Sequence, residues 1–196
     1  MKIRALALSA IASATLFAVA LEAQAEAAPQ VKFATSAGDF VVEVYPDKAP
    51  RTVENFLQYV QDKHYDGTIF HRVIANFMVQ GGGFDAKYLQ KPTRTPVVHE
   101  GREALAKGGP RNVAGTLAMA RTSDPQSATA QFFINVKENA FLDPNAQSYG
   151  YTVFGKVVSG MDVVEKIKLT PTGAGGPFPT DVPKTPILIN AATLVK

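Results

Sequence analysis

Short runs of alternating or continuous apolar residues recur along the chain and dominate its hydrophobic pattern. Runs of this length, bounded by glycine, proline and polar turn residues, predict β-strands rather than helices. The eight predicted strands cover residues 31–35, 40–45, 69–73, 77–81, 116–120, 131–136, 152–157 and 187–194.

Helical spacing is found in only two stretches. The first carries apolar residues at positions i, i+3, i+4 and i+7, namely Val53, Phe56, Leu57 and Val60. Pro50 suits the first turn of this helix. The second predicted helix covers residues 161–169, where Lys166 and Lys168 suit the C-terminal end of the helix dipole.

Eight short strands and so few helices favour an antiparallel barrel or sandwich, because parallel strands would need a crossover helix between most of them. A closed barrel would also remove exposed strand edges. We therefore expect a mainly β fold, a closed eight-stranded antiparallel β-barrel capped by two α-helices. Segments 84–112 and 171–186 are rich in proline, glycine and charged residues, which predicts loops.

The N-terminal 25 residues have the pattern of a signal peptide. Lys2 and Arg4 precede an apolar stretch at 5–21, and small residues follow, with predicted cleavage near Ala25 or alternatively Ala27. The stretch is short for a membrane span and lacks a basic flank after it, so we expect export without stable membrane insertion. The remainder, residues 26–196, is expected to form a single domain.

Composition excludes several classes of function. The 46% hydrophobic and 19% charged content places the chain with globular domains, and the absence of cysteine excludes disulfides and thiol catalysis. Removing residues 1–25 takes away two cations and one anion, so the formal net charge falls from +3 to +2. Basic residues at 87–111 are interspersed with acidic ones and lack an aromatic stacking pattern, so we expect no nucleic-acid site.

Residue inventory also argues against metal and nucleotide chemistry. The three histidines, His64, His71 and His99, show no metal-ligand spacing, so we expect no metal and no cofactor. The glycine run at 81–83 lacks the Lys and Ser or Thr of a phosphate loop, and no G-x-S-x-G motif occurs. Such a run at a strand end is more typical of a bulge or a close backbone approach.

Strand periodicity places possible site residues on faces that point away from the core. Along 131–136 one face carries Phe132, Ile134 and Val136, and the other carries Gln131, Phe133 and Asn135. Met78 and Gln80 also share a face. Arg72 lies within an apolar strand, where burying it without partners is costly. It therefore reaches a groove lined by aromatic and amide groups, or extends to solvent or a carboxylate, and spacing alone leaves both open.

The chain resembles the cyclophilins, a family of peptidyl-prolyl cis-trans isomerases, in successive sequence blocks that occur in the family order. These blocks are FHRVIANFMVQGGG at 70–83, GTLAMAR at 115–121, SATAQFFINV at 127–136, FLD at 141–143 and YTVFGKVVSGMDVV at 151–164. The resemblance covers about residues 31–195, and the first and third blocks are long enough to be highly specific.

The resemblance implies a catalytic set and a surrounding groove. It makes Arg72 the active-site arginine, Phe77 the aromatic residue of the proline pocket, and Gln80 a group that orients Arg72 or the substrate carbonyl. It assigns substrate contacts to Met78, Ala120, Arg121, Gln131, Phe133, Phe141, Leu142 and Tyr151.

Three positions depart from the common eukaryotic pattern and look like the bacterial periplasmic branch. Phe141 stands where tryptophan is common, Tyr151 where a histidine lines the pocket, and Arg121 where an asparagine acts largely through its backbone. Loss of the indole N–H predicts weakened cyclosporin binding with isomerase activity retained. Together with the signal peptide, the resemblance implies a periplasmic location.

The implied activity is acceleration of X–Pro bond rotation in unfolded exported proteins, by a monomer that binds proline-containing polypeptides. Two other interpretations stay open. The same groove could serve a non-catalytic, proline-peptide-binding chaperone or adaptor. A small-ligand β-barrel of lipocalin type is the third, but it would not carry a long segment such as 84–112 between its strands.

Overall fold

The computed structural model describes residues 27–195, so the predicted signal peptide lies outside the described residues. The described strands are β1 (Gln30–Thr35), β2 (Gly38–Val44), β3 (Thr68–Ile74), β4 (Met78–Asp85), β5 (Thr116–Met119), β6 (Phe132–Asn135), β7 (Val153–Ser159), β8 (Thr172–Gly175), β9 (Phe178–Pro183) and β10 (Leu188–Leu194). The helices are α1 (Pro50–Gln61), α2 (Gly101–Ala106), α3 (Met161–Lys168) and a short 3-10 helix, Ala140–Leu142.

Eight of these strands close into a barrel in the order β1-β10-β3-β4-β6-β5-β7-β2, with every neighbouring pair antiparallel. The predicted fold class is therefore confirmed. Closure pairs each barrel strand on both sides and leaves no open barrel edge to aggregate. Within residues 27–195, no helix is both long and apolar enough to cross a membrane.

Aromatic rings fill the barrel interior. Phe33 stacks on Phe40 with ring centroids 5.0 Å apart, and Phe132 meets the edges of Phe56 and Phe70 at 6.2 Å. Phe56 comes from α1, and α3 adds Ile167 to the same buried cluster, so both helices cover the barrel core. Each fully buried ring contributes roughly 1.5–3 kcal/mol of hydrophobic stabilisation.

Helix α1 takes its N-terminal cap from a distant segment. Pro50 opens the helix, and no side chain of its own first turn caps it. The buried carboxylate of Glu100 accepts hydrogen bonds from the backbone N–H of Arg51 at 3.2 Å and of Thr52 at 2.7 Å, and from the Thr52 hydroxyl at 2.7 Å. This satisfies amides that a helix end leaves unpaired and fastens segment 84–112 to α1.

Both segments predicted as loops contain regular structure, which corrects those two predictions. Segment 84–112 includes α2, which has only six residues and so offers too short a periodic pattern to recognise. Segment 171–186 folds into a separate two-stranded antiparallel sheet of β8 and β9. Its glycines and prolines gave the segment a loop-like composition, although one of them, Gly176, supplies the positive φ of +51° between the two strands.

Strand β4 continues through the glycine run and extends beyond the predicted end at residue 81. A Cβ atom on Gly81 would approach the Phe70 ring to 2.9 Å, and one on Gly82 would approach the Tyr65 ring to 2.8 Å. The β3–β4 register also shifts between Thr68 and Phe70 and again between Phe70 and Arg72. The run therefore allows a close backbone approach beside an irregular ladder, as its position predicted.

Candidate active site

A groove of about 710 Å³ lies where β3, β4, β5 and β6 turn side chains away from the barrel interior. This volume is within the range of pockets that bury a small ligand. Every residue that the sequence analysis assigned to the site lines this groove: Arg72, Phe77, Met78, Gln80, Ala120, Arg121, Gln131, Phe133, Phe141, Leu142 and Tyr151.

The floor of the groove is apolar and separate from the barrel core. Met78, Phe133 and Leu142 are buried and form a second hydrophobic cluster together with parts of β5 and β7. The ring of Tyr151 meets that of Phe133 edge-on, with centroids 5.4 Å apart. The result is a small hydrophobic pocket whose mouth remains open to water, which suits a compact apolar ring.

Phe77 lies in the turn between β3 and β4, one residue before β4 begins, rather than in the predicted strand 77–81. Its ring stacks on that of Phe141 at 5.6 Å, and Phe141 is 70% exposed at the rim. The Phe77 carbonyl accepts hydrogen bonds from the Asn139 amide at 2.9 Å and from the Val136 backbone N–H at 3.1 Å. These contacts fix the turn that presents Phe77 to the groove.

Asn139 belongs to a buried amide network that sequence reasoning missed. Its side-chain amide also donates to Asn135 at 2.7 Å, and the Asn135 amide donates to Thr116 at 3.0 Å and Asn112 at 3.2 Å. A signal did exist, because Asn135 stands on the groove face of a strand that is otherwise apolar. Buried polar groups are costly unless paired, and these hydrogen bonds pair the amide donors of the network. The Oδ1 of Asn139 is buried and has no hydrogen-bond partner among the described residues.

Arg72 reaches the groove because the ladder is irregular. Strict alternation would put Phe70 and Arg72 on one face, yet Phe70 belongs to the barrel core and Arg72 lines the groove. The register shift between them reverses the side-chain direction. The Arg72 side chain is 45% exposed, and its Nε lies 4.0 Å from Oδ2 of Asp181. The spacing left open whether Arg72 reaches a groove or a carboxylate, and in the structure it does both.

The two glutamines of the groove interact with each other. Gln80 is the cross-strand neighbour of Arg72, but its Nε2 donates to Oε1 of Gln131 at 3.1 Å. Among residues 27–195 the hydrogen-bond partner of the Gln80 amide is Gln131 and not Arg72. The pair thus presents an amide surface beside the guanidinium, with hydrogen-bonding capacity left for a peptide.

The Arg121 side chain makes several contacts within the protein. Its Nε and Nη2 donate to the Gly150 carbonyl at 3.1 and 2.8 Å, and Nη1 donates to the Thr122 carbonyl at 2.8 Å. Its guanidinium carbon lies 4.6 Å from the centroid of the Tyr151 ring. Arg121 therefore holds Tyr151 against one side of the pocket by a cation–π contact.

His71 is a groove residue that the sequence analysis did not select. It is 3% exposed and packs against Phe84 at 4.7 Å and Phe178 at 5.4 Å. Burial, and secondarily the neighbouring Arg72 charge, lower the pKa of His71 from 6.5 to about 4. His71 is therefore neutral at pH 7 and adds no charge beside Arg72.

Other groove residues were also missed: Phe84, Gln90, Thr122, Ser127, Thr129 and Phe178. Ser127 and Thr129 carried a usable signal, because they continue the period-2 pattern of Gln131 and Phe133 backwards along the chain. Phe178 carried none, since it lies on a hairpin within a segment whose composition predicted a loop.

The described residues hold no group of three or more His, Asp or Glu side chains that could bind a metal ion. Arg72 and Arg121 are the charged residues lining the groove, and His71 there is neutral. This arrangement can hold an apolar ring, pair with peptide groups and direct a guanidinium at a bound amide.

Comparisons of sequence agree on one family. A model described as "Cyclophilin type peptidyl-prolyl cis-trans isomerase/CLD" matches residues 30–194. The chain is 52% identical over 168 residues to peptidyl-prolyl cis-trans isomerase cyp18 of Streptomyces antibioticus, covering 84% of this chain and 98% of that protein. It is 51% identical over 167 residues to peptidyl-prolyl cis-trans isomerase B of Escherichia coli (strain K12), with the same coverage of both chains.

Solved structures agree on the fold. The barrel matches a cyclophilin-type peptidyl-prolyl cis-trans isomerase of Cryptosporidium parvum with a TM-score of 0.66 and 22% identity, covering 86% of this chain and 98% of that one. A second structure of that protein, obtained in the presence of the dipeptide Ala-Pro, matches with a TM-score of 0.65, covering 85% and 99%.

Proposed function

The chain belongs to the cyclophilin-type peptidyl-prolyl cis-trans isomerase family, and from this premise we propose that its groove accelerates X–Pro rotation without covalent chemistry. The activity itself is that of a peptidyl-prolyl cis-trans isomerase. The proposal concerns the roles of individual residues, the substrates and the place of action. A half-exposed guanidinium beside a buried apolar pocket is the observation that carries it.

Rotation about X–Pro is slow because twisting the bond breaks amide resonance, with a barrier of about 18–20 kcal/mol. No bond has to be made or cleaved. Catalysis therefore requires only that the twisted amide be bound more tightly than either planar form. A site without a nucleophile, a metal or a cofactor is sufficient for this reaction.

The apolar pocket is proposed to hold the proline ring. Met78, Phe133 and Leu142 form its floor and Phe77 its wall, so one side of the peptide bond is anchored while the other side turns. One structure of the Cryptosporidium parvum protein was obtained in the presence of the dipeptide Ala-Pro, which supports ligand chemistry of this kind.

Arg72 is proposed to favour the twisted state. As resonance is lost, the amide nitrogen regains a lone pair, and a guanidinium N–H can donate to it. The planar amide offers no such acceptor, so this interaction forms only as the bond turns. Gln80 and Gln131 are proposed to bind the peptide backbone on either side of the proline.

Replacing the arginine tests the mechanism. We expect Arg72→Ala to lower kcat/KM by about 100-fold or more in an NMR exchange assay on an X–Pro peptide, with the melting temperature unchanged. Arg72→Lys is the matched control, because it keeps the charge but not the forked donor geometry, and it should retain an intermediate rate. A full rate in Arg72→Ala would refute the proposed role.

The same assay addresses the non-catalytic interpretation. Under that interpretation the wild-type protein would bind the peptide, seen as shifts of groove resonances, without accelerating its exchange. Under the proposed function, binding and acceleration occur together.

We further propose that the substrates are exported polypeptides still folding in the periplasm. Uncatalysed proline isomerisation takes about tens to hundreds of seconds and so limits folding. The basic and then apolar pattern of residues 1–25 supports export. Mass spectrometry of protein recovered from the periplasm should give a chain beginning at Glu26, or at Ala28 for the alternative cleavage site. An uncleaved cytoplasmic chain would contradict export.

Cyclosporin binding is proposed to be weakened by the phenyl ring at the rim. Phe141 has no N–H to donate, whereas an indole would supply one. Phe141→Trp should therefore raise cyclosporin affinity by up to about tenfold, the value of one hydrogen bond, and leave the isomerase rate unchanged. Phe141→Leu, which also lacks a donor, should show no gain. Equal affinities for the Trp variant and the wild type would disprove this explanation.

A further inference from the structure

The separate hairpin of β8 and β9 lies beside the groove and contributes to its wall. Phe178, the first residue of β9, packs edge-on against Phe84 at 5.1 Å and tilted against His71 at 5.4 Å. His71 immediately precedes Arg72 on β3. The aromatic cluster of these three rings therefore fixes the hairpin at the strand that carries the arginine.

The hairpin brings one carboxylate to Arg72. Oδ2 of Asp181 lies 4.0 Å from the arginine Nε, and among residues 27–195 Asp181 is the acidic residue within ion-pair distance of that guanidinium. The Thr180 hydroxyl donates to the same carboxylate oxygen at 3.1 Å and so orients it. The cross-strand neighbour of Arg72 on β4, Gln80, does not take this role, because its amide is paired with Gln131.

The backbone at Asp181 has a conformation that few residues adopt. Its φ is +67°, in the left-handed region, where aspartate and asparagine are tolerated better than most residues. The flanking hairpin holds this conformation, since Val182 is buried at 2% exposure and β9 pairs with β8. Residues in sparsely populated backbone conformations cluster at functional sites, and Asp181 lies beside Arg72.

We propose that Asp181 is a positioning residue for Arg72. The inference rests on the proposed role of Arg72 in rotation of the X–Pro bond. The carboxylate faces the Nε edge of the guanidinium, which leaves both terminal nitrogens for the substrate amide. The separation exceeds that of a hydrogen bond, so attraction between charges limits the directions that the long side chain takes.

The solvent exposure of Arg72 and Asp181 sets how large the loss of activity on removing the carboxylate should be and how it depends on salt. Both side chains are more than a third exposed, and such pairs are weak and screened by salt. We expect Asp181→Asn, which keeps the shape and tolerates the positive φ, to lower kcat about two- to fivefold with KM unchanged. The deficit should largely disappear at about 1 M salt.

A double-mutant cycle separates positioning from a structural role. NMR exchange rates are measured for wild type, Asp181→Asn, Arg72→Ala and the double variant. If Asp181 acts through Arg72, Asp181→Asn slows the wild type but causes no further loss in the Arg72→Ala background. Asp181→Gly, which also suits a positive φ, should reproduce the loss. Asp39→Asn is the matched control, because it removes another ion pair whose side chains are more than a third exposed, that with Lys32, away from the groove, and should leave kcat unchanged.

The results for Asp181→Asn test the positioning role of Asp181, and the result for Arg72→Ala tests the proposed role of Arg72. An unchanged or faster rate in Asp181→Asn at low salt would overturn the inference while leaving the proposed function intact, and so would an equal loss in both backgrounds or a loss independent of salt. A full rate in Arg72→Ala alone would instead overturn the proposed mechanism and this inference with it.

Discussion

Strand β6 has the barrel interior on one face and the groove on the other. Its consecutive residues Phe132 and Phe133 belong one to each region. Phe132 points into the barrel and lies within 6.2 Å of four other aromatic rings, measured between ring centroids. Phe133 points into the groove, where Tyr151 is its aromatic neighbour at 5.4 Å. A ring packed among other rings of the core stabilises the fold, whereas a ring on the groove floor can also contact a ligand.

Polar groups differ between the two regions in the same way. The barrel interior is a continuous cluster of apolar side chains, in which close packing leaves little room for change. The groove keeps Arg72, Gln80 and Gln131 at its surface, with donors that a peptide can use. A single strand serves both regions because its side chains alternate between faces.

Truncating the two neighbouring rings is the strongest way to break this comparison. Phe132→Ala should lower the free energy of unfolding by about 3–5 kcal/mol, because it leaves a cavity among packed rings. Phe133→Ala should cost less stability, since its site already opens to water, but should raise KM for X–Pro peptides. Urea unfolding and NMR exchange kinetics measure both effects. Equal losses of stability with unchanged KM would show that the two faces are not specialised.

His71 combines features of both regions, because it is buried like a core residue yet lines the groove. Its folded-state pKa of about 4 lies below the ordinary value of 6.5. Below pH 6.5 the unfolded chain binds a proton that the folded chain refuses, so stability present above pH 6.5 is lost as the pH falls toward 4. Because of His71, the free energy of unfolding should be about 2 kcal/mol lower at pH 5 than at pH 7.

His71→Phe keeps a ring in the aromatic cluster and should remove this part of the pH dependence, as urea unfolding at the two pH values will show. Burial also lowers the pKa of His64 and of His99, but both remain in the variant. Their contribution therefore cancels when the two pH slopes are compared. Identical slopes would mean that His71 is hydrated in the folded protein.

Replacing Arg121 should give the smallest change in kinetics, and it distinguishes the role of this arginine from that of Arg72. Arg121→Lys loses the paired hydrogen bonds to the Gly150 carbonyl and the planar contact with Tyr151. We expect KM for an X–Pro peptide to rise about two- to fivefold with kcat unchanged. Progress curves at several peptide concentrations separate the two constants. A fall in kcat instead would give Arg121 a role like that of Arg72.

Sequence reasoning succeeded where a local pattern carries the information. Alternation along 131–136 placed Phe132 and Phe133 on opposite faces, and the structure confirms it. At β3 alternation left the position of Arg72 open, and a register shift reverses the face between Phe70 and Arg72. The sequence blocks that resemble the cyclophilins, rather than the periodicity, assigned Arg72 to the site. Phe178 and Asp181 were missed because composition gave no sign of the hairpin.

By itself, the chain's sequence determined the mainly β barrel, its two longer helices and most of the residues that line the groove, since strand period and motif order are local properties. Tertiary structure decided which carboxylate caps α1, which rings surround His71 and which acid faces Arg72. Glu100 lies 48 residues from Thr52, and Asp181 is also remote from Arg72 in the chain, so only folding brings these pairs together. Contacts of that kind depend on how the chain closes on itself, and no local pattern records them.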